Sequence, residues 1–139
     1  MRSISLALLL YVPLGIASDA DVISQFGMLG LQAIDCAAPA GPSNPHLIYA
    51  VSPQGNVMRT LKMKPDLDGT FPLRNLRMSG PNVMQWEETG RTGEVTVSMV
   101  KMDGKFRSWR SVKADGTVLI ADGKFTGSGA STVAFERCP

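Results

Sequence analysis

Residues 94–121 read EVTVSMVKMDGKFRSWRSVKADGTVLIA. They hold three runs of β-formers joined by Asp103-Gly104 and Asp115-Gly116. Asp-Gly between such runs is a strong hairpin signal, because glycine takes the positive φ that a two-residue turn demands. Three strands in succession predict a meander, and a meander predicts a larger antiparallel sheet.

Working outward, the same punctuation continues. Upstream, 83–89 is a strand with Met84 and Trp86 on one side, after a turn at 80–82. Residues 70–79 form a strand that Pro72 marks as an edge or a bulge. Residues 57–64 alternate, with Val57, Leu61 and Met63 on one face. Strands are expected at 46–52 and 30–36, separated by a Pro- and Gly-rich loop at 37–45. Residues 19–27 are read as one turn of helix or as irregular. Downstream, 122–131 is glycine-rich and loop-like, and 132–138 is the closing strand, with Val133 and Phe135 facing together. The sum is eight or nine short strands with no substantial helix. The expected class is all-β: a single small antiparallel barrel, with the short sequential connections favouring a meander over a Greek key.

The first residues do not belong to that barrel. Arg2 precedes an apolar run at 4–16, and Ala17, Ser18 and Ala20 supply small residues for cleavage. This is the pattern of a secretory signal peptide, too short to span a bilayer. Residues 1–18 are therefore read as the signal, cut after Ser18 or Ala20, and 19–139 as the barrel. The expected location is periplasmic or secreted.

The chain carries a net charge of +2, which falls to +1 once Arg2 is removed. Basic residues are scattered, from Arg59 to Arg110, which excludes the clustered face of a nucleic-acid binder and a polybasic membrane patch. Cys36 and Cys138 are the only cysteines, and an even count in an oxidising compartment reads as a disulfide. The bridge would tie the start of the barrel to its end.

The 94–112 hairpin raises one question of chemistry. Val95, Val97 and Met99 share a core face. With a two-residue loop, Met99 pairs with Ser108 and Val97 with Arg110. With a three-residue loop and a glycine bulge, Met99 pairs with Arg107 and Val97 with Trp109. A one-residue slip exchanges the two faces, yet either register sends an arginine inward. The second is favoured because it buries Trp109. The ordinary role for such an arginine is at a barrel mouth with its head in water. The functional one is anion binding, or an internal salt bridge with Glu88 or Asp35. Arg59 lies on the Val57–Leu61 face and poses the same question. Trp86 and Trp109 ordinarily pack a core, and can instead line a ligand cavity. Trp86, Trp109, Arg107, Arg110 and Arg59 are thus the candidate ligand-binding residues.

Recognisable catalytic chemistry is not found. His46 is the sole histidine and has no nucleophile at a typical spacing. Asp66-x-Asp68-Gly69 is a fragment of a calcium-loop pattern without its distal glutamate, and reads as a turn. Glu87 and Glu88 are neighbours on a strand and point to opposite faces. No cofactor or metal is expected.

GLQAIDCAAPAGPSNPHLIY at 30–49, and KFRSWRSVKADGTVLIADGK at 105–124 with the terminal FERCP, resemble a group of small exported alphaproteobacterial proteins with no assigned activity. That resemblance implies export and a paired Cys36–Cys138. A looser likeness is to lipocalin-like barrels, which open on a Gly-x-Trp strand. Here Gly30-Leu31-Gln32 keeps the glycine and carries Gln32 in place of the tryptophan. Small-barrel metalloprotease inhibitors are similar in size, export and disulfide alone.

The expected function is an exported, monomeric, non-enzymatic binding module for a small apolar or anionic molecule. The alternative is a protein-interaction or protease-inhibitor-like barrel acting through 19–30 or 37–45. A cavity of at least ~300 Å³ favours the first, and a filled barrel the second.

Overall fold

The computed structural model describes residues 17–139. The export reading of residues 1–18 lies outside them except for its last two residues. The chain forms a closed eight-stranded antiparallel barrel with one disulfide, Cys36–Cys138.

Strand β1 spans Gly30–Ala33, β2 His46–Val51, β3 Val57–Lys62, β4 Gly69–Gly80, β5 Val83–Gly90, β6 Gly93–Met102 and β7 Lys105–Lys113. Each pairs with the next in sequence order. Closure comes from the last strand, β10 (Ala134–Arg137), which pairs with β1 on one side and with the first residues of β7 on the other. Between them β8 (Val118–Ala121) and β9 (Lys124–Phe125) form a short hairpin hung on the second half of β7. Residues 122–131, expected as loop, therefore contain the two-residue β9 behind a tight turn at Asp122-Gly123.

Pro72 sits where β4 pairs with β3, before the recorded β4–β5 ladder begins at Arg74. Its missing N–H thus opposes none of the recorded β5 partners. The bulge expected of this strand lies just beyond, between Arg74 and Arg77, with Asn75 at φ 57°.

Residues 19–26 go beyond the single turn of helix, or irregular segment, expected there, within a chain that is otherwise all-β. Helix α1 spans Asp19–Phe26. Ser18 and Asp21 form a capping box: the Ser18 hydroxyl accepts from the Asp21 N–H at 3.1 Å, and the Asp21 carboxylate accepts from the Ser18 N–H at 3.3 Å. Gly27, at φ 80°, ends the helix in the left-handed conformation. Val22, Ile23 and Phe26 are buried in the same core as Val57, Leu76, Met84 and Phe106. Those four lie towards the start of β3, the end of β4 and the starts of β5 and β7, which antiparallel pairing places at one end of the barrel. The helix closes that end.

Asp19 anchors the helix to the β4 bulge. Its carboxylate accepts from the backbone N–H groups of Asn75 at 3.2 Å and Leu76 at 3.0 Å, two donors that the bulge removes from the ladder. Asp19→Ala is expected to lower stability by about 1–2 kcal/mol, read as a fall in the urea midpoint. Cleavage after Ala20 would remove both this anchor and the Ser18 cap.

Candidate functional site

With α1 filling one end, the barrel is hollow towards the other. A cavity of 380 Å³ opens beside the β5–β6 turn, where Gly90 pairs with Gly93 across Arg91 and Thr92. Its walls are mostly apolar, with Leu47, Val97, Met99, Leu119 and Phe135 among them. Trp86 and Tyr49, both fully buried, also line it.

One buried ion pair stands on the wall. Arg59 and Glu88 form a two-pronged ion pair, with Nη1–Oε1 at 3.2 Å and Nη2–Oε2 at 2.6 Å. The Glu88 side chain is 8% exposed and that of Arg59 21%. Arg59 also lies 5.6 Å from the centre of the Phe71 ring, which faces it across the β3–β4 ladder. Directly opposite Arg59 on β2 is Tyr49. Burial pushes the Tyr49 hydroxyl up to about 12, with Arg59 acting in the opposite sense. Tyr49 is therefore a neutral hydrogen-bonding group at any physiological pH. Burial works to lower the Arg59 pKa, but the neighbouring Tyr49 and Glu88 outweigh it and hold it above the ordinary value. The guanidinium stays charged, and Glu88 neutralises it.

Two further features bear on binding. Gln32 is 1% exposed, lines the cavity, and donates from Nε2 to the Met28 carbonyl at 2.9 Å. It thus ties β1 to the segment that leaves α1. The Trp86 indole N–H is buried with no hydrogen-bond partner among the described residues. An unpaired buried donor costs roughly 1–3 kcal/mol, so an acceptor brought beside it would gain a full bond.

Of the five candidates, Trp86 and Arg59 meet at the cavity. Arg107, Arg110 and Trp109 do not line it, and the expectation of an inward arginine on β7 is overturned. The Asp103-Gly104 turn is the two-residue one, with Met102 opposite Lys105 and Met99 opposite Ser108. The register then shifts at Trp109, so that Ser98 faces Arg110 and Val97 faces Ser111. Neither uniform register applies. The extra residue falls where β7 exchanges β10 for β8 as its neighbour. A bulge re-aims the side chains that follow it, so Phe106, Ser108 and Ser111 point inward and both arginines point out.

Arg107 and Trp109 instead fasten the β8–β9 hairpin. Arg107 donates to the Gly123 carbonyl at 2.8 Å and to the Thr132 hydroxyl at 3.0 Å, and its guanidinium lies 5.7 Å from the Trp109 ring centre. Gly123, at φ +71°, lies against that ring, and a Cβ there would come within 2.8 Å of it. Arg110 is exposed. The fastening still matters to the cavity, because Leu119 and Ile120 of the hairpin form part of its wall.

Comparison with family models, with curated proteins and with solved structures finds no match. What the site can do rests on its own geometry. Glu88 was legible as an inward residue, since 84, 86 and 88 share one strand face. Tyr49 could have been found by folding β2 onto β3 about the 52–56 turn, which sets it opposite Arg59. No local signal marks Arg91 or Gln32 as cavity residues, because their position follows from closure of the barrel.

Proposed function

We propose that the protein is an exported, non-enzymatic module that binds a small, largely apolar molecule inside its barrel. The cavity carries this reading. At 380 Å³ it exceeds the ~300 Å³ at which small-ligand pockets begin, and it combines apolar walls with a few convergent polar groups. The disulfide supports export, since such bonds persist in oxidising compartments. The lipocalin-like expectation belongs to this proposal as a likeness of architecture. The interaction-module alternative, acting through 19–30 or 37–45, loses part of its support, because the first of these segments packs Val22, Ile23 and Phe26 into the core.

The interior suits a neutral body better than a buried anion. Glu88 already occupies the one internal guanidinium, and a second carboxylate there would face its charge.

Native mass spectrometry of the protein taken from its own periplasm tests the proposal. The expected result is a monomer carrying a small-molecule adduct. In Val97→Phe, which fills the cavity from its wall, the adduct is expected to disappear while circular dichroism stays that of the parent. A bare monomer, or an adduct indifferent to Val97→Phe, would overturn the reading.

A further inference from the structure

Arg91 stands at the mouth of this cavity, exposed, and among the described residues no carboxylate pairs with it. Its recorded polar contact is a long one, from Nη2 to the Asp66 carbonyl at 3.5 Å. Asp66 lies 3.7 Å from Lys64, and Glu94 is held by Arg74 and Thr89. Two recesses meet at this residue. Arg91 lines the 380 Å³ cavity and also a 230 Å³ depression bounded by Leu61, Leu67 and Phe71. The Arg59–Glu88 pair borders both.

Charge is thus graded along the cavity. The inner wall is uncharged and mostly apolar, with Gln32, Ser108 and Ser111 as its polar members, the middle holds a neutralised ion pair, and the rim holds a cation with no carboxylate partner. A neutral hydrocarbon would use the wall and leave Arg91 idle. A compact anion would use Arg91 and leave the wall empty. A molecule with an apolar body and one acidic end uses both. Its orientation follows from the lack of an unpaired cation inside: Arg59 is already held by Glu88, which leaves the rim as the place for the acid group.

We infer that the cavity takes a monocarboxylate amphiphile, apolar body inward and carboxylate paired with Arg91 at the mouth. This inference rests on the binding-module reading above. The Arg91 contact is charge-assisted and open to solvent, so it is sensitive to salt, whereas burial of the body is not.

Decanoate and decanol, which share a chain and differ in the head, separate the two ideas in calorimetric titrations of the mature protein. Decanoate is expected to bind more tightly than decanol at low salt, and to lose that advantage as salt rises. Arg91→Ala is expected to weaken decanoate by about tenfold and leave decanol unchanged. Equal binding of the two by the parent, or decanoate binding that Arg91→Ala does not alter, overturns the carboxylate assignment. If Val97→Phe still abolishes binding in that case, the cavity reading survives without it. If neither compound binds the parent, both fall together.

Discussion

Replacing Cys36 and Cys138 together by serine is expected to cost the barrel about 2–5 kcal/mol, with the urea midpoint falling accordingly. The bridge spans 102 residues with its Cα atoms 5.4 Å apart. In the chain-entropy account, closing a loop of ~100 residues restricts the unfolded chain by about 4.7 kcal/mol, near the top of the usual range. The native state also loses something specific. The bridge joins the turn after β1 to the residue following β10, and each of those strands is only four residues long. Their ladder is the seam of the barrel. Without the covalent tie, that seam is held by few backbone bonds and should fray first. Hydrogen exchange should show early loss of protection at Gln32 and Arg137. A double variant within about 1 kcal/mol of the parent would mean that the seam is maintained by packing alone.

Glu88→Ala is expected to destabilise by about 2–4 kcal/mol, a larger effect than its single side chain suggests. Breaking a buried ion pair leaves a charge without a partner, which commonly costs about 3–5 kcal/mol. The lower figure applies here because the Arg59 side chain retains 21% exposure. The informative comparison is Arg59→Met combined with Glu88→Leu. Removing both charges also removes both desolvation penalties, so the double variant is expected to match the parent within about 1 kcal/mol or exceed it. If Glu88→Ala alone is as stable as the parent, the pair is effectively solvated and cannot steer a ligand. If the double variant is stable but binds ligand less selectively, the pair serves recognition and not the fold.

The sequence proved most legible where periodicity and turn chemistry are local. The Asp-Gly turns, the alternation of Met84 and Trp86, and the strands on either side of 52–56 can be read from neighbours alone. The capping box at Ser18 and Asp21, with Gly27 at the C-terminus, is an equally local signal for a helix longer than the one turn expected. It lay beside an export signal, and its helix is only eight residues long. The β7 register was not legible. A turn determines register only as far as the first bulge, and the bulge at Trp109 answers to a change of neighbouring strand. That single extra residue moves Arg110 to the surface, where an unbroken two-residue-loop register would have put it inside.

The sequence by itself determined the class of this protein: an all-β chain of short strands with two cysteines placed to close it. Hydrophobic period, turn residues and cysteine count act over a few positions or are simple counts, so they need no tertiary knowledge. Tertiary structure alone decided which charges share the interior. Arg59 and Glu88 are 29 residues apart on strands separated by β4, and they meet because both point inward and reach over the inner face of that strand. Arg91 reaches the mouth because the β5–β6 turn ends at the open end while α1 closes the other. Such meetings depend on closure of the whole sheet, and no stretch of sequence short enough to read locally contains that information.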